Sequence, residues 1–181
     1  MMISFDRSHF IVALVLVFVV KLAGAQTYTY DNQAQLIGAA ITSPESTRLI
    51  LVKALDFCSS IAPSVKPKSE MAFKKWIGRH TFYLKASAGY RAAAKQMSMD
   101  PSVPQQNRVM LKKLLEVDFP RLVASQTEAV IEPLRIAKEN GGGQSMCQDY
   151  IAALDSGKFD LKYKDPQLAE FYDKNAPRWL S

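Results

Sequence analysis

Three polar side chains on one predicted helix could do chemistry together: His80, Ser87 and Arg91. At about 100° per residue, they fall on the same side of that helix as Trp76 and Tyr83. An imidazole can act as a base or a ligand, and a guanidinium beside a hydroxyl favours a polar or anionic ligand. One hypothesis is therefore an enzyme or a small-ligand-binding protein centred on His80, with Ser87 and Arg91 as support.

The structural interpretation of the same residues is favoured, because a lone histidine on an apolar face is more often a hydrogen-bonded core residue than a ligand or a base. His80 would then bond a neighbouring helix. Arg91 would meet a carboxylate such as Asp118 or Glu116, since an unpaired buried charge costs too much free energy. The candidate binding residues, whichever interpretation holds, are Trp76, His80, Tyr83, Ser87 and Arg91.

No catalytic or metal motif accompanies this histidine in the sequence. The chain has no G-x-S-x-G, H-E-x-x-H, C-x-x-C-H or P-loop pattern. The glycines at 141–143 follow no strand and precede no Lys-Ser/Thr pair, so they indicate a helix stop. Glu128 and Glu132 lie one turn apart, which is ordinary spacing on a solvated helix face. We predict no catalytic residue, no metal site and no cofactor.

The two cysteines, Cys58 and Cys147, predict a disulfide. They do not form a C-x-x-C motif, and the single histidine beyond residue 25 cannot complete a zinc tetrad with them. The bond would close a loop of about 90 residues, for which chain entropy gives a stabilisation of about 4 kcal/mol.

The first 25 residues have the layout of a secretory signal peptide: Arg7, an apolar run over 10–20 and a small-residue end at Ala23-Gly24-Ala25. The run is shorter than the about 20 residues that cross a membrane, and no later apolar stretch is long enough. We therefore expect cleavage after Ala25, no transmembrane anchor afterwards, and an exported chain in the periplasm or outside the cell.

The charge of the chain bears on its partners. The formal net charge is +6, which is mild, and there is no Lys/Arg block typical of a nucleic-acid-binding protein. We expect no nucleic-acid partner, and instead another protein or an envelope component. A third hypothesis is an envelope protein that binds an anionic polymer through one basic helix face, formed by Lys74, Lys75, Arg79 and Lys85.

The elements that position these residues are all predicted to be helices. Ser43-Pro44 predicts the start of a first helix that ends near Ser60. A second helix spans about 69–97. A third region covers 105–139, with a kink or break near Asp118-Phe119-Pro120 and a second disturbance near Glu132, because proline interrupts a helix.

Two shorter helices complete the prediction. Ser145-x-x-Gln148 fits a capping box that starts a helix closed by Gly157. Asp165-Pro166 caps a last helix, and the segment 158–164 between the two could be extended. Met97, Met99 and Met110 are expected to fill the core rather than bind a soft metal, and Trp179 to pin the tail onto the bundle.

These patterns predict an all-α fold: an antiparallel bundle of about four to five helices, stapled by one disulfide, in a single domain over 26–181. Since no catalytic pattern is present, we expect a non-catalytic interaction module, such as an inhibitor or immunity-type protein or an envelope accessory protein.

Overall fold

The computed structural model describes residues 28–175, so the predicted signal peptide and Trp179 lie outside the described residues. Within that range the chain forms helices and no strand, which confirms the all-α prediction. No helix among these residues is both long and apolar enough to cross a membrane. The helices are α1 (Gln33–Ile61), α2 (Lys66–Met99), α3 (Gln105–Lys113), α4 (Phe119–Glu139), α5 (Gly143–Asp155), α6 (Leu161–Lys164) and α7 (Pro166–Asn175).

The long helices alternate in direction and form the predicted bundle. A 3-10 turn, Pro63–Val65, reverses the chain between α1 and α2, and α3 and α4 together run back along them. α1 packs against α2 and α4, and α5 packs against α2 and α4. This order brings Cys58 and Cys147 to one end of the bundle, where their sulfurs are 2.07 Å apart and their Cα atoms 5.5 Å apart. The predicted disulfide is confirmed.

Two clusters of buried side chains hold the helices together. The first surrounds the disulfide and contains Leu51, Leu55, Trp76, Leu134, Ile151 and Leu154. The second lies further along α2 and contains Ala40, Tyr83, Leu161, Leu168 and Tyr172. The short helices α6 and α7 therefore close the second cluster over the middle of α2.

α1 begins eleven residues earlier than predicted, at Gln33 and not at Pro44. The Asn32 side chain accepts a hydrogen bond from the Gln35 amide (3.0 Å) and caps the helix, so Pro44 lies in the helix interior. Proline has no N–H for the carbonyl four residues before it. That carbonyl belongs to Ala40, and the Tyr172 hydroxyl donates to it instead. A tertiary hydrogen bond thus allows the helix to continue through a residue that the sequence rules place at its start.

The two prolines of the third region behave differently. The break predicted at Asp118-Phe119-Pro120 is present as a π-helical turn over Leu114–Asp118, and Pro120 occupies the first turn of α4, where no N–H partner is needed. Near Glu132, where a second disturbance is expected, α4 does not end but continues through Pro133. Pro133 frees the carbonyl of Ala129, an exposed residue, which solvent can reach.

Glycines set the ends of α5. Gly141 has a φ of 78° after the end of α4. A Cβ on Gly143 would lie 2.8 Å from the Lys138 Cα, so glycine permits the close approach of α4 and α5 there. α5 starts at Gly143 and has no side-chain cap, and the capping box predicted at Ser145 is therefore wrong. Gly157, with a φ of 83°, closes α5 as predicted.

The last part of the chain is helical where an extended segment was considered. Residues 161–164 form the single turn of α6. The Asp165 carboxylate then accepts a hydrogen bond from the Leu168 amide (3.0 Å), which confirms the cap predicted for α7.

Candidate functional site

His80 lies in the core and uses both of its ring nitrogens. It is 2 % exposed. The backbone amide of Leu161 can only donate, so Nε2 accepts that bond (2.9 Å). The proton is therefore on Nδ1, which donates to the Trp76 carbonyl at 2.8 Å. Neither nitrogen is left for a ligand or for proton transfer.

The surroundings of His80 favour its neutral form. Burial lowers the pKa of the imidazole below its usual value, and this outweighs the hydrogen bond to the Trp76 carbonyl. The ring also stacks on Trp76, with 4.1 Å between ring centroids. Trp76 in turn donates from Nε1 to the Phe159 carbonyl (3.2 Å). Together the two side chains tie the connection after α5 to α2.

Ser87 and Tyr83 also bond within the core. Ser87 is fully buried, and its hydroxyl donates to the Ile41 carbonyl of α1 (3.3 Å). Tyr83 is 5 % exposed and donates to the Asp173 carboxylate of α7 (3.3 Å). Each of these side chains joins α2 to a different helix, so they do not converge on one point.

Arg91 does not meet either of the carboxylates predicted for it. Lys113 pairs with Asp118, and Lys112 lies 4.0 Å from Glu116. In place of these carboxylates, the ring of Phe119 contacts the Arg91 guanidinium.

The guanidinium of Arg91 instead makes weaker contacts. It lies over the Phe119 ring, 5.2 Å from the centroid, and donates to the Ser87 hydroxyl at 3.3 Å. Its Nε has no hydrogen-bond partner among the described residues. Hydrogen bonds from Arg48 lower the pKa of Glu45, and the charge of Arg91 adds to that effect. Arg91 thus places a positive charge between α1 and α4, but it forms no ion pair with a carboxylate of the described residues.

The basic face predicted on α2 is partly neutralised. Lys75 pairs with Asp155 (2.8 Å) and Arg79 with Asp160 (2.6 Å). Arg79 also donates to the Leu154 carbonyl at the end of α5 (2.9 Å). These two cations therefore join α2 to α5 and to the turn after it.

Sequence reasoning missed a groove between α2 and α5, near the disulfide. It has a volume of about 450 Å³. Its floor is apolar and buried, and it consists of Val65, Ala72 and Ile151. Two helices with alanines at the contact leave room between their larger side chains. No local pattern could have indicated the groove, because Ala72 and Ala152 belong to segments far apart in the sequence.

The rim of this groove carries opposite charges on its two sides. Lys68 and Lys75 lie on the α2 side, and Asp149 and Asp155 lie on the α5 side. Met71, which is 57 % exposed, lies on the α2 side of the same rim. The groove contains no histidine, cysteine or hydroxyl side chain among its lining residues, and none of the five predicted site residues lines it.

A metal has no evident ligand set in the part of the chain that is described. No three His, Cys, Asp or Glu side chains lie close enough together there to hold an ion.

Comparison with known proteins identifies no relative: no protein-family model, no curated protein and no solved structure matches the chain.

Proposed function

We propose that this chain is an exported, non-catalytic interaction protein that binds another protein through the groove between α2 and α5. The observation that carries the proposal is the groove itself, an apolar floor framed by charge. Pockets of this kind accept an apolar side chain from a partner protein, and the charges on the rim determine the orientation in which that partner binds.

The rim specifies the chemistry of the partner. One wall is basic, at Lys68 and Lys75, and the other is acidic, at Asp149 and Asp155. The complementary ligand is an amphipathic helix with an apolar stripe between acidic residues on one side and basic residues on the other. At one end of the groove, Lys75 and Asp155 already pair with each other, so Lys68 and Asp149 are the rim charges open to the partner.

Binding is favoured over catalysis for a chemical reason. A catalytic proposal would have to use His80, whose two nitrogens are occupied by the Trp76 carbonyl and the Leu161 amide. The lining of the groove supplies lysines and carboxylates but no nucleophile with an adjacent base.

Export has two independent supports. The sequence over 1–25 fits a signal peptide. The Cys58–Cys147 bond is of a kind that forms and persists in oxidising compartments such as the periplasm or the cell exterior.

The test compares two alanine-to-glutamate variants of the mature chain. Ala152→Glu adds a charged side chain inside the groove, at an exposed helix position. Ala129→Glu makes the same change on the exposed face of α4, away from the groove. Each immobilised protein is incubated with envelope extract, and a protein retained by the wild type is purified for calorimetry.

We expect wild type and Ala129→Glu to bind the same protein with similar affinity. Ala152→Glu should bind it at least about tenfold more weakly, since the longer side chain fills part of the groove and its charge would be buried against the partner's apolar anchor. Equal binding by both variants, or no retained protein at all, would refute the groove as the interface. Thermal unfolding of each variant confirms that the fold is intact.

A further inference from the structure

The end of the bundle opposite the disulfide exposes an unusual amount of apolar surface. Four large apolar side chains lie within six residues of the α2–α3 turn (100–104) and are 48–64 % exposed. No residue from 95 to 118 is buried. We call the segment 95–113 the hairpin tip; its exposed large apolar side chains are Met97, Met99, Val109 and Met110.

The methionines of this segment correct an expectation. Met97, Met99 and Met110 do not fill the core, because they are 48 %, 64 % and 60 % exposed. The tip extends beyond Ala94, the last buried residue of α2. Exposed apolar side chains grouped in this way mark a surface that contacts something else.

The charge around the tip has one dominant sign. Residues 95–113 contain four basic side chains and one acidic one. The Asp100 carboxylate caps the turn by accepting from Ser102, and Lys112 and Lys113 pair with Glu116 and Asp118 just beyond the tip. Lys95 and Arg108 form no ion pair within the described residues.

We propose that the hairpin tip docks on the surface of an anionic phospholipid bilayer. The apolar side chains enter the boundary between headgroups and acyl chains, and the basic side chains meet the phosphates. Apolar and cationic residues side by side are the composition of interfacial membrane segments. The contact is peripheral, since no helix within 28–175 can span a membrane.

A bilayer suits this surface better than a protein or a second copy of the chain. Both of those need a complementary, well-packed patch. Here the apolar groups are set among long basic side chains, and the net positive charge would repel a second tip. A fluid anionic bilayer can contact these mixed apolar and basic side chains without having a complementary shape.

The dimensions of α2 place the two proposed sites at opposite ends. At 1.5 Å per residue, Met97 lies roughly 33 Å along the helix from Lys75 on the groove rim. Membrane contact at the tip would leave the groove free for a protein. The two proposals are therefore independent, and either can fail without the other.

The test measures co-sedimentation of the mature chain with vesicles. One set is phosphatidylcholine alone, and the other contains about one-third phosphatidylglycerol. We expect binding to the anionic vesicles only, weakening as salt is added. Val109→Asn/Met110→Gln should bind about tenfold more weakly, because less apolar surface enters the interface. Lys95→Gln should bind about fivefold more weakly, the effect of one cation near such a surface.

Matched variants elsewhere serve as controls. Ile136→Asn/Met146→Gln removes two exposed apolar side chains outside the tip, and Lys53→Gln removes an exposed cation on α1. These should bind as the wild type does. Equal loss in tip and control variants, no binding to anionic vesicles, or a tip variant that changes only the oligomeric state or only protein capture would each overturn the proposal. Circular dichroism checks that every variant is folded.

Discussion

At the scale of single residues, His80 shows how a polar side chain becomes part of a core. Its Nε2 atom accepts from the Leu161 amide, a residue 81 positions away in the sequence. Its Nδ1 proton satisfies a local carbonyl, and its ring stacks on Trp76. A buried polar group is retained when all of its hydrogen bonds are made, and the bond that Nε2 accepts from the Leu161 amide requires the neutral ring.

Replacing this ring with an apolar one should destabilise the protein. His80→Phe keeps an aromatic ring against Trp76 but leaves the buried Leu161 amide without its acceptor. We expect the free energy of unfolding at pH 8 to fall by about 1–3 kcal/mol, the usual cost of an unsatisfied buried group.

The imidazole of His80 also predicts a pH dependence of stability. Because burial lowers the pKa of His80, the unfolded chain binds the proton more readily, and stability should decline as the pH falls below the unfolded value of about 6.5 towards the lower folded value.

Urea denaturation of both proteins across this pH range provides the measurement. The decline that His80 causes should be absent from His80→Phe, so the two stabilities should approach each other at low pH. Parallel curves would show that His80 does not cause it. His80→Phe as stable as the wild type at pH 8 would contradict the assigned hydrogen bond.

At the scale of helices, α1 depends on side chains from other helices. Pro44 leaves the Ala40 carbonyl without its helical donor, and the Tyr172 hydroxyl of α7 supplies one. One turn of α1 is therefore completed from a helix that lies 132 residues further along the chain. The neighbouring Ile41 carbonyl accepts from Ser87 of α2. Side chains of two other helices, α2 and α7, thus hold this part of α1 by hydrogen bonds.

A double-mutant cycle can isolate this arrangement. Tyr172→Phe in the wild type should lower the free energy of unfolding by about 1–2 kcal/mol, because a buried carbonyl loses its donor. In a Pro44→Ala background, the new amide at position 44 can bond the Ala40 carbonyl, so Tyr172→Phe should cost less. Chemical denaturation of the four proteins gives the coupling free energy. A cost that is the same in both backgrounds would show that the hydroxyl does not compensate for the proline.

At the scale of the whole molecule, the bundle has two unlike ends. The disulfide joins α1 to α5 near the groove, and both of its cysteines belong to the first buried cluster. The hairpin tip at the other end, residues 95–113, contains no buried residue. The stable end carries the proposed protein site, and the exposed end carries the proposed membrane contact.

The disulfide should supply a large share of the stability. The two cysteines are 89 positions apart in the sequence. Cys58→Ala/Cys147→Ala should therefore lower the free energy of unfolding by about 4 kcal/mol through greater chain entropy in the unfolded state. Guanidinium denaturation with and without dithiothreitol measures this. The reductant should shift the wild type by a similar amount and leave the variant unchanged. A reductant-sensitive variant, or a wild type indifferent to reduction, would contradict the prediction.

The sequence by itself determined the helical class, the cysteine pair and the helix boundaries at Pro120, Gly157 and Asp165. Each of these follows from chemistry within a few residues: helical periodicity, a missing N–H, a positive φ, or a carboxylate beside an amide. Likewise, a chain with only two cysteines can form only one intramolecular disulfide.

The tertiary structure alone decided the start of α1, the partners of His80 and Arg91, and the existence of the groove. Pro44 and His80 are stabilised by Tyr172 and Leu161, and those partners are distant in sequence. The exposure of Met97, Met99 and Met110 likewise depends on where the neighbouring helices end. Local patterns cannot contain such information, because a hydrogen-bond partner or a covering helix becomes known only when the chain has folded back on itself.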